Sequence, residues 1–299
     1  MRAGTIGASQ AFAARRSVAF PRAVGWLRGR RSALFGASLL ALMGSTALLA
    51  PAVAPYDPLK VSPAESLSPP GRAHPMGTDQ FGRDILSRAI HGARLSLLTG
   101  LVAVAIAATF GVGLGLVAGL GGGWPDGLIM RLVDIMMAFP SVLMALVVVA
   151  ILGQGSANVM VAVGVSLIPT YVRLVRGDVL AAKENPYVEA ARSLGCPGRR
   201  LALRHILPNV VAPIIVLSTV AVAWSIIVGA SLSFLGLGPR PPAPEWGVDL
   251  SNGRGYLRRG WWISAFPGLC IMSAVVAINL LGDTLRDRLD PRLRNVASL

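Results

Sequence analysis

Side chains able to make or break bonds are scarce in this chain, and those present do not gather into a reactive set. There are two lysines, Lys60 and Lys183, and neither follows a glycine-rich loop, so no phosphate-cradling P-loop is encoded. The three histidines, His74, His91 and His205, lack the spacing of metal ligands. Cys196 and Cys270 lie far apart and read as two free thiols. What stands out is a polar, basic island at 182–208 between two long apolar runs. Asn185 suits a helix N-cap, Pro186 a first helical position, and Gly195 a left-handed stop, while Pro197 prevents continuation. This punctuation predicts a helix over 186–194, about 14 Å long at about 1.5 Å per residue. Tyr187, Ala190, Ala191 and Leu194 fall on one face at helical spacing. So short a helix is marginal alone, so its chemistry is recognition: it needs a surface to pack against.

The elements that must position this island are apolar. Of the 299 residues, 54% are hydrophobic and 14% charged, and mean hydropathy is +0.62. No Asp, Glu, Lys or Arg occurs in 32–56, 95–125, 135–172, 205–239 or 260–282. Uncharged runs of this length read as membrane spans, since helices satisfy their own backbone in lipid. The run 135–172 is too long for one span and is broken by the turn-rich Gly153-Gln154-Gly155-Ser156-Ala157-Asn158. The expected fold is therefore all-α and integral to the membrane, with six transmembrane helices and both termini on one side. The spans hold too few ionisable groups for a proton relay or an ion-coupled carrier. The chain reads as a membrane gate without its own energy source.

A net charge of +14 raises the question of nucleic acid, but its distribution argues for topology. With the N-terminus inside, segments 1–31, 120–134, 173–204 and 283–299 hold 19 of the 28 Lys and Arg residues. The outside segments 57–94 and 240–259 hold the other nine, partly balanced by six acids. This is the positive-inside bias, with contact to anionic lipid as a secondary effect and no nucleic-acid partner.

Along the chain, residues 1–31 read as a disordered basic cytoplasmic tail and 32–94 as the first span with an extracytoplasmic segment. Ala50-Pro51-Ala52-Val53-Ala54 resembles a cleavage site, but the apolar run before it is long enough to be a retained span. A core domain follows over 95–283, with an inside loop at 177–208, then a cytoplasmic tail at 284–299. Gly111, Gly115 and Gly119 in the second span predict a face for close helix packing. Pro140 predicts a kink in the third span. Arg173 and Arg176 end the fourth and are expected to snorkel to the inner interface. Trp261-Trp262 reads as an interface anchor. Asn279, Asp283 and Asp287 share a face of the sixth span, to bond neighbouring helices or lie at a solvated end.

On these residues the chain resembles a known family. Glu189-Ala190-Ala191-Arg192-Ser193-Leu194-Gly195, followed by His205-Ile206-Leu207-Pro208, is similar to the EAA loop of ABC-transporter permeases. Four further segments resemble the second permease of dipeptide, oligopeptide and nickel importers. They are Gly77-Thr78-Asp79-Gln80-Phe81-Gly82-Arg83-Asp84 with 92–97; Arg131-Leu132-Val133-Asp134 with Phe139-Pro140; Leu232 to Gly238 with Glu245-Trp246-Gly247; and Asn279 to Arg292.

The resemblance implies a type I ABC importer permease fold in a bacterial inner membrane. It also implies a heterodimer with a second homologous permease, two cytosolic ATP-binding subunits and an extracytoplasmic substrate-binding protein. The chain itself would hold no cofactor, ATP and Mg²⁺ being bound by the partner subunits, and would not be an enzyme. Helix 186–194 would then be the coupling helix, with Tyr187, Glu189, Ala190, Ala191, Leu194, Gly195, Leu207 and Pro208 as the ATPase-coupling residues. Gly195 and Pro208 would fix the loop's two corners. Glu189 would contact the ATPase or brace the loop, or simply compensate the helix dipole. The cargo implied is di- or oligopeptides, with nickel or another small solute as the alternative within the class, and a stand-alone channel or carrier outside it. The sequence departs from the subfamily at Gly229, where an acid is usual, and at Leu217, Ile168 and Gly260, which would make the path less polar.

Overall fold

The computed structural model describes residues 31–289; the predicted N-terminal tail and the last ten residues lie outside the described residues. The elements run α1 (Arg31–Leu48), α2 (Ala50–Val53), α3 (Ile85–Gly121), α4 (Gly123–Met137), α5 (Ser141–Leu152), α6 (Ser156–Lys183), α7 (Pro186–Ser193), α8 (Gly198–Leu201), a π-helical turn (Ala202–Ile206), α9 (Leu207–Phe234), α10 (Trp246–Gly253) and α11 (Trp262–Leu289). Among the described residues five helices are long and apolar enough to cross a membrane: α1, α3, α6, the continuous 202–234 and α11. The expected third span is the exception. It is the pair α4 and α5, bent by 94°, so the sixth crossing is an elbow rather than a kinked rod. Pro140 lacks an N–H and takes an extended ψ of 134°, so helical hydrogen bonding stops at Ala138 and restarts at Ser141.

Two helices outrun the sequence expectation. The second span was placed from about 95, yet α3 starts ten residues earlier, because Asp84 caps it by accepting from Ser87 N–H at 2.8 Å. Its 37 residues reach about 55 Å at about 1.5 Å each, well past an apolar slab of about 30 Å. At the other end of the bundle α6 runs through Pro169 to Lys183, so its last turns form a rigid stem inside the predicted loop.

The glycine face does what its spacing implies. A Cβ on Gly111 would lie 2.3 Å from Tyr171 Cβ, on Gly115 2.7 Å from Val175 Cβ, and on Gly119 2.7 Å from Val179 Cγ1. The α3 and α6 backbones therefore touch along three turns. Around this seam Ala103, Ala107, Val149, Val163, Leu167, Tyr171 and Leu232 join α3, α5, α6 and α9 in one core. A second core joins α1, α3, α9 and α11 around Trp246 and Ala274. Leu101, Phe110, Val147 and Ile151 remain exposed on the outer faces, as suits helices solvated by lipid.

Gly229 is buried at a helix crossing, where a Cβ would come within 2.6 Å of Thr99 Cγ2, so a larger residue there would have to displace Thr99. Leu217 packs on the first core.

Candidate functional site

The island forms a helix whose anchor the sequence did not reveal. Helix α7 ends at Gly195 with φ +75°, and Cys196 N–H returns to Ala191 C=O at 3.1 Å, so the left-handed glycine stop is as expected. At its start Asn185 holds the N-cap position, its C=O accepting from Val188 N–H at 2.9 Å, while its side-chain amide turns back to donate to Ala181 and Ala182 C=O, both at 3.2 Å, and so closes the end of α6. As expected, α7 does not continue through Pro197; a separate helix, α8, begins just after it, with Leu201 N–H donating to the Pro197 carbonyl.

Inside the loop, Val188 is 0% exposed and packs with Val175, Val179, Leu201, Ile206 and Val210, with Ala191 half-buried beside it. Of the predicted coupling residues, Tyr187, Glu189, Ala190, Leu194 and Gly195 are exposed, and Leu194 is 87% exposed. A leucine so bare on a helix that is unstable alone marks a surface that completes itself on something else. Tyr187 Oη accepts from Asn209 Nδ2 at 3.1 Å, which ties α7 to the start of α9.

Leu207 and Pro208 are not where a corner would be. They sit in the first turn of α9, with Leu207 packed on the Val188 core and Pro208 exposed. The π-turn 202–206 accommodates the proline by continuing the helix rather than breaking it.

The stem under α7 carries ion pairs that the sequence reading missed. Arg176 Nε and Nη2 fork onto Asp126 Oδ1 and Oδ2 at 2.5 and 2.6 Å, and Arg173 Nη2 meets Asp134 Oδ1 at 2.6 Å. Lys183 Nζ donates to Gly119 C=O at 3.0 Å. Both arginines bind helix α4.

At the opposite end, a polar cap closes the bundle. Arg88 donates to Asp249 Oδ1, to Pro58 C=O at 3.1 Å and to Pro242 C=O at 3.2 Å, stapling three segments far apart in sequence. Glu245 caps α10 through Val248 N–H at 2.9 Å and accepts from Ser96 Oγ at 3.1 Å. Burial raises the Glu245 carboxyl, and burial pushes Asp249 up to about 6 against the pull of Arg88. His74 Nδ1 pairs with Asp84 Oδ1 at 2.9 Å. Trp262 is buried and donates to Thr78 C=O at 3.0 Å, so only Trp261 of that pair is exposed as an interface anchor would be. Among the described residues no group of three or more His, Cys, Asp or Glu could hold a metal ion.

Comparison with known proteins agrees with this architecture. Residues 111–295 match the family described as binding-protein-dependent transport system inner membrane component. The chain is 48% identical to the di/tripeptide transport system permease protein DppC of Pseudomonas aeruginosa, covering 89% of this chain and 90% of that one. It is 42% identical to the dipeptide transport system permease protein DppC of Alkalihalophilus pseudofirmus, over 90% and 88%. It is 46% identical to the glutathione transport system permease protein GsiD of Pectobacterium atrosepticum, over 81% and 80%. In fold it is similar to a chain of the MetNI methionine ABC transporter in an inward-facing conformation, with TM-score 0.55 and 17% identity over 68% of this chain and 96% of that one. Its fold is that of a type I ABC importer permease. The chain belongs to the family of binding-protein-dependent ABC importer permeases, multi-pass proteins of the inner membrane.

Proposed function

We propose that this chain carries di- or oligopeptides across the inner membrane as one half of a permease heterodimer. The observation that carries this reading is the exposed face of α7, held on a stiff stem yet left open at Tyr187, Ala190 and Leu194. Two cytosolic ATPases dock there, bind ATP and Mg²⁺, and supply the energy for which the chain has no P-loop of its own. The chain is a transport subunit rather than an enzyme, with both termini and α7 in the cytoplasm, as the positive-inside bias supports. An extracytoplasmic binding protein delivers solute to the end capped by Arg88 and Trp262. Peptide cargo is supported by the names of the relatives, since glutathione too is a small peptide.

In this mechanism ATP-driven closure of the ATPases moves α7, and nucleotide state biases the gate because the docked contacts differ between its two conformations. Gly195 supplies the turn that presents the face, and Glu189, exposed near the helix start, offers a carboxylate to the partner. The test is reconstitution of the full complex in lipid vesicles with peptide-stimulated ATP hydrolysis and peptide uptake as readouts. Gly195→Leu and Glu189→Lys are expected to abolish stimulated uptake with membrane insertion intact. Unchanged uptake in both would remove α7 from the coupling path.

A further inference from the structure

Helix α4 is held to the bundle in an unusual way. Of its fifteen residues only Val133 is buried, so apolar packing contributes little to its position. Polar links do the holding. Arg176 forks onto Asp126 with side chains 29% and 18% exposed, and Arg173 reaches Asp134 one turn earlier on α6, in a pair 50% and 59% exposed. The forked, half-buried pair is the stronger link, because the open one is screened by water. Asp126 and Asp134 lie about 12 Å apart along α4. One attachment would let α4 pivot, whereas two at this spacing hold both its position and its direction.

The same stem carries α7. Only Glu184 and Asn185 separate the end of α6 from α7, and the Asn185 amide closes that junction. Lys183 ties the stem to the end of α3, which runs beside α6 along the glycine seam. At its other end α4 passes directly into the 94° elbow with α5. A displacement of α7 therefore has a continuous stiff route, through α6 and the two ion pairs, to the elbow.

We propose that the Arg176–Asp126 fork, seconded by Arg173–Asp134, is a positioning link that makes the α4–α5 elbow follow α7 during transport. This rests on the reading of α7 as the ATPase-docking helix. Neither arginine touches ATP or peptide in this scheme. They act by keeping α4 in register with the stem, so their loss separates hydrolysis from transport rather than abolishing either partner's chemistry.

The experiment uses the complete importer in nanodiscs and vesicles, comparing wild type with Arg176→Asp, Asp126→Arg, the double swap of both, and Arg176→Lys. The readout is peptide moved per ATP hydrolysed, normalised to assembled complex, a ratio that a purely structural defect would leave unchanged. Each single reversal should lower that ratio about ten-fold while hydrolysis persists, as expected for loss of a charge-assisted pair. The double swap should restore it to within about three-fold, since the two sites are coupled. Arg176→Lys keeps the charge but loses the fork, and should lower the ratio about three-fold with assembly unchanged. An unchanged ratio in Arg176→Lys or in either assembled reversal overturns the link, as does a double swap that assembles but stays uncoupled. A wild-type complex whose hydrolysis ignores peptide-loaded binding protein overturns the importer reading itself, a result distinguishable from failure of the link alone.

Discussion

Val188 offers a test of how α7 is held that does not depend on any partner. Its side chain is fully buried against Val175, Val179, Leu201 and Ile206, while Tyr187, Glu189, Ala190 and Leu194 contribute exposed surface. Val188→Ala removes two methyl-sized groups, about 1.6 kcal/mol of transfer free energy at about 0.8 per group, with a further cost for the space left behind. An eight-residue helix has no stability of its own to set against this loss, so the whole amount falls on the docked state of α7. The population of undocked α7 should rise about fifteen-fold, since about 1.4 kcal/mol is a factor of ten. Hydrogen exchange of the purified chain in nanodiscs reads this directly. Amides of Val188, Glu189 and Leu194, bonded within this loop to Asn185 and Ala190, should exchange about fifteen-fold faster, while those in the middle of α3 and α6 do not change. Equal exchange in variant and wild type, or acceleration spread over α3 and α6 alike, would refute the view that Val188 is the main anchor of the helix.

Three further outcomes follow from the same structure. Gly111→Ala places a Cβ 2.3 Å from Tyr171 Cβ and should cost about 1–3 kcal/mol, read as the midpoint of unfolding in detergent. Gly113→Ala, with nothing within 4 Å, should fall within about 0.5 kcal/mol of wild type; equal losses in the two would sink the seam. Asp249 is held above the ordinary carboxylate range, at about 6, so the folded state takes up its proton before the unfolded chain does. Its contribution to folding stability therefore grows as pH falls from 7 to 5, by about 1.3 kcal/mol, and is absent in Asp249→Asn. Identical pH profiles for the two proteins would show that Asp249 titrates normally. Arg88→Met leaves Asp249 buried without its cation and frees the Pro58 and Pro242 carbonyls, so proteolysis within 55–84 and 239–245 should increase while α7 stays protected.

Much of the site was legible because it is written in local rules. A glycine needing positive φ after a short amphipathic run marks the end of α7 wherever it occurs. Glycines four apart mark a seam because a helix brings them to one face, whatever lies opposite. The rest depended on partners distant in sequence. Arg176 could not be paired with Asp126, fifty residues away, from a pattern of single residues. Periodicity gave the face of Tyr187, Ala190, Ala191 and Leu194, of which Ala190 and Leu194 point outward while Ala191 turns half inward; the fully buried anchor is Val188, which that face does not contain. The resemblance implied a corner at Pro208, yet its place in the first turn of α9 needs no N–H bond.

By itself, the sequence determined that this protein lives in a membrane, roughly how its apolar runs are distributed, that it has no P-loop, and that one polar loop holds a short helix ending at Gly195. Composition, charge placement and turn chemistry act through neighbouring residues, so they survive without knowledge of the fold. Only the tertiary structure decided that the third span is an elbow, that Gly229 is a packing site, that Arg88 staples the far cap, and that α6 ties α7 to α4. Those features are contacts between residues tens to more than a hundred positions apart, and no local preference encodes which of them meet.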